Sequence, residues 1–123
     1  MSFVVRAFPL RQSLAAFNAF VGELQGARRA DAHAFYQAYG VEHESWHVQQ
    51  TDHGPWVIVV TLLASAQQAA PQYAQANDAF ASWFKGNVLA LSGVDPSVAP
   101  LGPPTTEVFH WSATPAIAQT FAS

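Results

Sequence analysis

The chain has 123 residues, which suits one domain spanning 1–123 with a single core and no covalent staples. Eight acids and five bases leave a formal net charge of −3, and no basic stripe exists beyond the pair Arg28-Arg29, which argues against nucleic-acid binding. With no cysteine and no apolar run near 18 residues, the composition excludes disulfides, thiolate chemistry, zinc–thiolate and iron–sulfur sites, and a membrane-spanning helix.

Residues 3–8 predict a first strand, ended by Pro9, which lacks the ladder donor. Ser13 is placed to cap a helix over 14–25, where Leu14, Phe17, Phe20, Val21 and Leu24 recur at helical spacing. Gly26 interrupts it, a continuation over 30–39 carries Phe35, Tyr36 and Tyr39, and Gly40 is a natural stop. Residues 42–51 follow as a second strand, with His43, Ser45, His47, Gln49 and Thr51 on one face and Glu44, Trp46, Val48 and Gln50 on the other; this mixture suits a sheet edge.

The turn Asp52-His53-Gly54-Pro55, taken as a longer hairpin loop, leads into Trp56-Val-Ile-Val-Val-Thr-Leu-Leu63, the most informative stretch of the chain. It is apolar on both faces, so both faces need cover. Ser65 opens an alanine-rich helical region over 66–76, with a break expected at Pro71. Asn77 or Asp78 caps a stronger helix bearing Phe80, Trp83, Phe84, Val88 and Leu91, ended by Gly93. Residues 95–106 hold four prolines and read as an extended loop. Residues 107–111 read as a last strand with Glu107, Phe109 and Trp111 on one face, and 112–123 as a tail that docks through Ile117 and Phe121 or stays loose.

The order β-α-β-β-α-β is the ferredoxin-like, split βαβ arrangement of the α+β class: a four-stranded antiparallel sheet with both helices on one face. The first and third strands are expected to be central, and parallel to each other, with the second and fourth at the edges. The chain then has helices for one sheet face only. Half of the residues are hydrophobic and 11% are charged, against a usual charged share of about 25%, which leaves little to solvate a lone copy. A homodimer through the bare face is the expected assembly.

In topology and patterning the chain resembles the dimeric α/β-barrel superfamily, which packs two such units sheet to sheet. The resemblance covers nearly the whole chain, and its nearest approach to a motif is Asp78-Ala-Phe-Ala-Ser-Trp-Phe-Lys85 with the Pro103-Pro104 loop and Val108-Phe-His-Trp111. The superfamily includes antibiotic-biosynthesis-type monooxygenases, haem-degrading enzymes and many small proteins of unknown role. The resemblance therefore implies a dimeric barrel and attaches no activity. The haem branch uses a helical histidine, and His33 is the only helical candidate here.

Arg6 stands mid-strand among Val4 and Phe8. It either anchors an anion in a pocket, pairs with Glu44 or Glu107, or reaches water at a dimer rim. His43 and His47 have a metal-like spacing on a helix, but on a strand four residues span roughly 13 Å, too far to share an ion, so no metal site is expected. His47 and His110 are the candidate general acid/base groups, since imidazole titrates near neutrality. Trp46, Trp83, Phe84 and Trp111 are the candidate walls of a pocket for a small apolar or aromatic ligand.

Two functions follow as expectations. One is a cofactor-independent, monooxygenase-like enzyme in which His47 or His110 moves protons and Arg6 holds an anion. The other is a non-catalytic ligand-binding or assembly protein in which the aromatics are packing. A cavity holding two or more of Arg6, His47, His110 and Glu107 would favour the first. The start of the chain lacks a basic region followed by an apolar run, so a cytoplasmic location is expected.

Overall fold

In the computed structural model of the protein, residues 2–95 and 105–113 are described. The loop prolines 96, 100, 103 and 104, and the docking residues Ile117 and Phe121, lie outside them.

The β-branched and aromatic stretches form three strands, β1 (Ser2–Pro9), β2 (Val41–Thr51) and β3 (Gly54–Leu63). They make one antiparallel sheet in the order β1-β3-β2. β3 is the inner strand and β2 an edge, as the composition of each suggested; β1, expected to be central, is the other edge of the sheet because no fourth strand pairs with it among the described residues. β1 and β3 run antiparallel, in the register Val4↔Thr61, Arg6↔Val59 and Phe8↔Val57, not parallel as expected. The parallel pair is β1 and β2, with β3 inserted between them, as a split βαβ unit demands.

Two further expectations are corrected. The β2–β3 loop is only Asp52 and His53, because Thr51 already pairs with Gly54. The Thr51 hydroxyl donates to the Gly54 carbonyl at 2.7 Å and accepts from His53 N–H at 3.1 Å, and Gly54 takes φ +99, so this side chain and this glycine close the turn.

The sheet among the described residues has three strands, not four, because residues 107–111 form no strand. Glu107 Oε1 lies 3.3 Å from His110 Nδ1. Val108, Phe109 and Trp111 are 92%, 82% and 77% exposed, so no packing rewards extension.

Four helices follow the predicted periodicity: α1 (Leu14–Gln25), α2 (Arg29–Ala38), α3 (Ala66–Gln75) and α4 (Ala79–Ser92). Ser13, Ser65 and Asp78 each accept a backbone N–H three residues on, at 3.1, 3.2 and 2.9 Å. Gly93 ends α4 with φ +73, in close contact with Arg11, whose N–H donates to the Leu91 carbonyl at 2.7 Å. The break expected at Pro71 is absent: α3 runs through it. Pro71 is exposed, so the one carbonyl it leaves without a donor faces water. Lys85 of α4 ties α3 down, its Nζ donating to the carbonyls of Ala74 and Ala76 at 3.0 and 2.8 Å, where the last turn lacks internal donors.

All four helices pack on the sheet face of Val4, Arg6, Phe8, Val57, Val59, Thr61 and Leu63. The larger core cluster gathers Phe17, Phe20, Phe35, Phe84 and Leu91 over Val57. Phe35 is its hub, with the rings of Tyr39, Phe84 and Phe80 at 4.9, 5.0 and 5.2 Å. A smaller cluster of Val4, Leu63 and Ala69 closes the other end.

Candidate ligand pocket between sheet and helices

The inner sheet face carries Arg6 in β1, Glu44 in β2 and Thr61 in β3, while Gln50, the other polar residue on that face of β2, lies exposed near the strand's end. The register sets Val4, Thr61 and Glu44 in one row across the sheet and Arg6, Val59 and Trp46 in the next. The three polar groups therefore lie together between the two core clusters. There the helices stand off the sheet and leave a cavity of about 130 Å³.

The cavity walls are largely apolar. Strands supply Val57, Val59 and Trp46, and helices supply Phe17, Phe20, Phe35, Tyr36, Tyr73 and Phe84. Trp46 holds its place by stacking near Phe20, at 5.8 Å, and by donating its indole N–H to Glu44 at 2.8 Å.

Both oxygens of Glu44 are engaged: Oε2 accepts from Trp46, and Oε1 accepts from the Thr61 hydroxyl at 2.7 Å. Burial, with the negative charge of Glu44 beside it, pushes the Tyr36 phenol well above its ordinary value. Tyr73 is pushed up by burial first and by Glu44 second. Both phenols are thus neutral donors at any physiological pH.

Arg6 contrasts with Glu44. Its Nη1 donates to the Val5 carbonyl at 3.1 Å, but its Nε is buried and has no hydrogen-bond partner among the described residues. Burial pulls its guanidinium below the ordinary value. It pairs with neither Glu44 nor Glu107, although both were candidate partners.

Of the expected ligand-binding residues, Trp46 and Phe84 line the cavity. Trp83 is turned away, packed on Phe20 at 5.2 Å and under the Arg28 guanidinium at 3.9 Å. Trp111 is 77% exposed on the segment that forms no strand. Of the candidate catalytic residues, only Arg6 reaches the cavity. His47 is on the opposite sheet face, with its Nε2 2.9 Å from Ser45 Oγ, and His110 faces Glu107.

Tyr36 and Tyr39, counted among the large aromatics that could wall a pocket, do line the cavity; the residues missed by sequence reasoning are Thr61, Tyr73 and Glu44 as a cavity group. A signal for two of them existed: in register, Glu44 and Thr61 fall side by side, with Arg6 in the next row. Among the described residues no cluster of three or more His, Asp or Glu could hold a metal ion, and no helix is long and apolar enough to cross a membrane. Comparison with family models, with curated proteins and with solved structures finds no match for this chain.

Proposed function

We propose that this protein is a small-molecule-binding protein whose site is the aromatic cavity between the sheet and the helices. The observation that carries this reading is the cavity itself. A well-packed interior holds few voids larger than a water molecule, whereas this one has about 130 Å³ of space walled by rings and flanked by convergent polar groups. Space of that order accepts a single six-membered ring.

Binding is favoured over catalysis by the position of the titratable groups. Arg6 alone of Arg6, His47, His110 and Glu107 reaches the cavity, so no imidazole stands beside a bound molecule to move its protons. Glu44 is occupied by the Trp46 indole and the Thr61 hydroxyl, one on each oxygen.

The protein acts, in this reading, as a homodimer, as the resemblance to the dimeric α/β barrels implies. The sheet face away from the helices presents Val5, Trp56, Ile58, Val60 and Leu62, none of which belongs to either core cluster. Its apolar part, on β1 and β3, covers roughly 250 Å², taking about 3.3 Å per residue and 4.8 Å per strand, and β2 adds the polar His43, Ser45, His47 and Gln49 beside it. Two such faces meeting bury each other's apolar strands behind a polar margin.

Native mass spectrometry of the protein as expressed tests both parts, because it reports the subunit number and any co-purified small molecule together. A dimer with added mass per subunit, or a dimer that takes up ring-sized probes such as phenol, is the expected result. A monomer at micromolar concentration sinks the assembly. Failure of every ring-sized probe to shift the thermal midpoint sinks the pocket.

A further inference from the structure

We infer that the ligand is a monoanion: a single-ring carboxylate or enolate whose charged end is taken by Arg6. This rests on the pocket reading above and adds the sign and size of the ligand's charge.

The argument is a count of which polar capacity in the cavity is spent. A carboxylate has about four lone-pair directions. Glu44 spends one oxygen on the Trp46 indole and the other on the Thr61 hydroxyl, with the Tyr36 ring beside it, so a cationic ligand competes with two short hydrogen bonds there. Arg6 is not committed. Nη1 is held by the Val5 carbonyl, and this is its one hydrogen bond among the described residues. That leaves Nε and Nη2, the two donors that share one edge of the guanidinium. Two parallel N–H donors on one edge match the two oxygens of a carboxylate.

A buried arginine donor without an acceptor is a standing cost to the fold, and an anion in the cavity relieves it. Because Nε is closed off from water, the side chain has to turn that edge toward the cavity as the ligand enters. Rotamer adjustment of this kind is common on binding. Attachment of Nη1 to β1 keeps the guanidinium at the cavity wall while it does so.

Size restricts the class further. About 130 Å³ fits one ring with a short substituent, below the roughly 300–1,000 Å³ of sites for drug-sized molecules. The apolar walls have no further charge for a second anionic group, and Glu44 repels one.

The test compares three probes of one shape on the wild-type protein by isothermal titration: benzoate, neutral benzamide and cationic benzylamine. Benzoate is expected to bind at least tenfold more tightly than benzamide, with benzylamine weaker still. Arg6→Gln is expected to bring benzoate down to the benzamide level while benzamide itself is unchanged, and Arg6→Lys to restore part of the preference. Equal binding of benzoate and benzamide to the wild type overturns the anion assignment and leaves the pocket standing. Tighter binding of benzylamine overturns it in favour of Glu44. If none of the three binds at millimolar concentration, the pocket reading fails with it. Should Arg6→Gln not fold, the wild-type ratio and Arg6→Lys decide the matter.

Discussion

The two faces of β3 are almost equally apolar, yet they have different fates. Val57, Val59, Thr61 and Leu63 meet four helices, and Val57 and Leu63 are each 1% exposed. Trp56, Ile58, Val60 and Leu62 alternate with them on the other side, half-buried by their sheet neighbours and outside both core clusters. Hydrophobicity along a strand thus sets the demand for cover, and the number and placement of helices decide which side receives it within one chain.

The sharpest way to break this comparison is a charge on either side. Val57→Asp buries a carboxylate without a partner and is expected to leave the chain unfolded by circular dichroism. Val60→Asp on the outer face is expected to leave the fold intact and to convert the dimer to a monomer in size-exclusion chromatography. If Val60→Asp elutes with the wild type as a dimer, the sheet face is not the contact.

The neighbouring leucines sharpen the contrast without charge. Leu63→Ala is expected to cost about 2–5 kcal/mol in urea denaturation. Leu62→Ala, measured in the dilute monomer, is expected to cost about 1 kcal/mol or less, because the site is already wetted. Equal losses would mean that the outer face is packed.

Within the inner face, Thr61→Val removes a donor from the buried side of Glu44. A loss of about 1–3 kcal/mol is expected, read from the same urea transitions. The tyrosines give the smallest effect, as a slope. Tyr36 and Tyr73 bind their protons more tightly when folded than when unfolded, so their contribution is complete below the ordinary value of 10.0 and is lost as pH rises above it. Stability should fall above pH 10 by up to about 1.4 kcal/mol per pH unit for each phenol. Tyr36→Phe should make the fall shallower, whereas an unchanged slope would show that the phenol is not held by Glu44.

How much of this was legible follows the reach of the interactions. Helix caps at Ser13, Ser65 and Asp78 and the stop at Gly93 are local, written within three or four residues, and could be read directly. The two-residue turn was misread because its closure depends on the Thr51 side chain outside it. The missing fourth strand was misread because Glu107, Phe109 and Trp111 alternate as a strand should, while Phe109 and Trp111 stay exposed and no packing rewards pairing with the sheet.

The cavity is the least local feature. Trp46 and Phe84 were found because large aromatics attract attention anywhere. Glu44 was seen only as a possible mate for Arg6, and Thr61 not at all. Their grouping depends on a register between three strands that alternation within one strand does not encode. Trp83 and Trp111 show the converse: residue type suggested a wall, and position put both elsewhere.

The Thr105 hydroxyl donates to the Val5 carbonyl at 2.6 Å, the same oxygen that holds Arg6 Nη1. Bare strand margins are where proteins recruit foreign chains and seed fibrils. Any intruder zipping along β1 must first evict this threonine, and in doing so it disturbs the oxygen that steadies the arginine. If the cavity takes the proposed anion, protection of this strand margin and grip on the ligand meet at a single backbone atom.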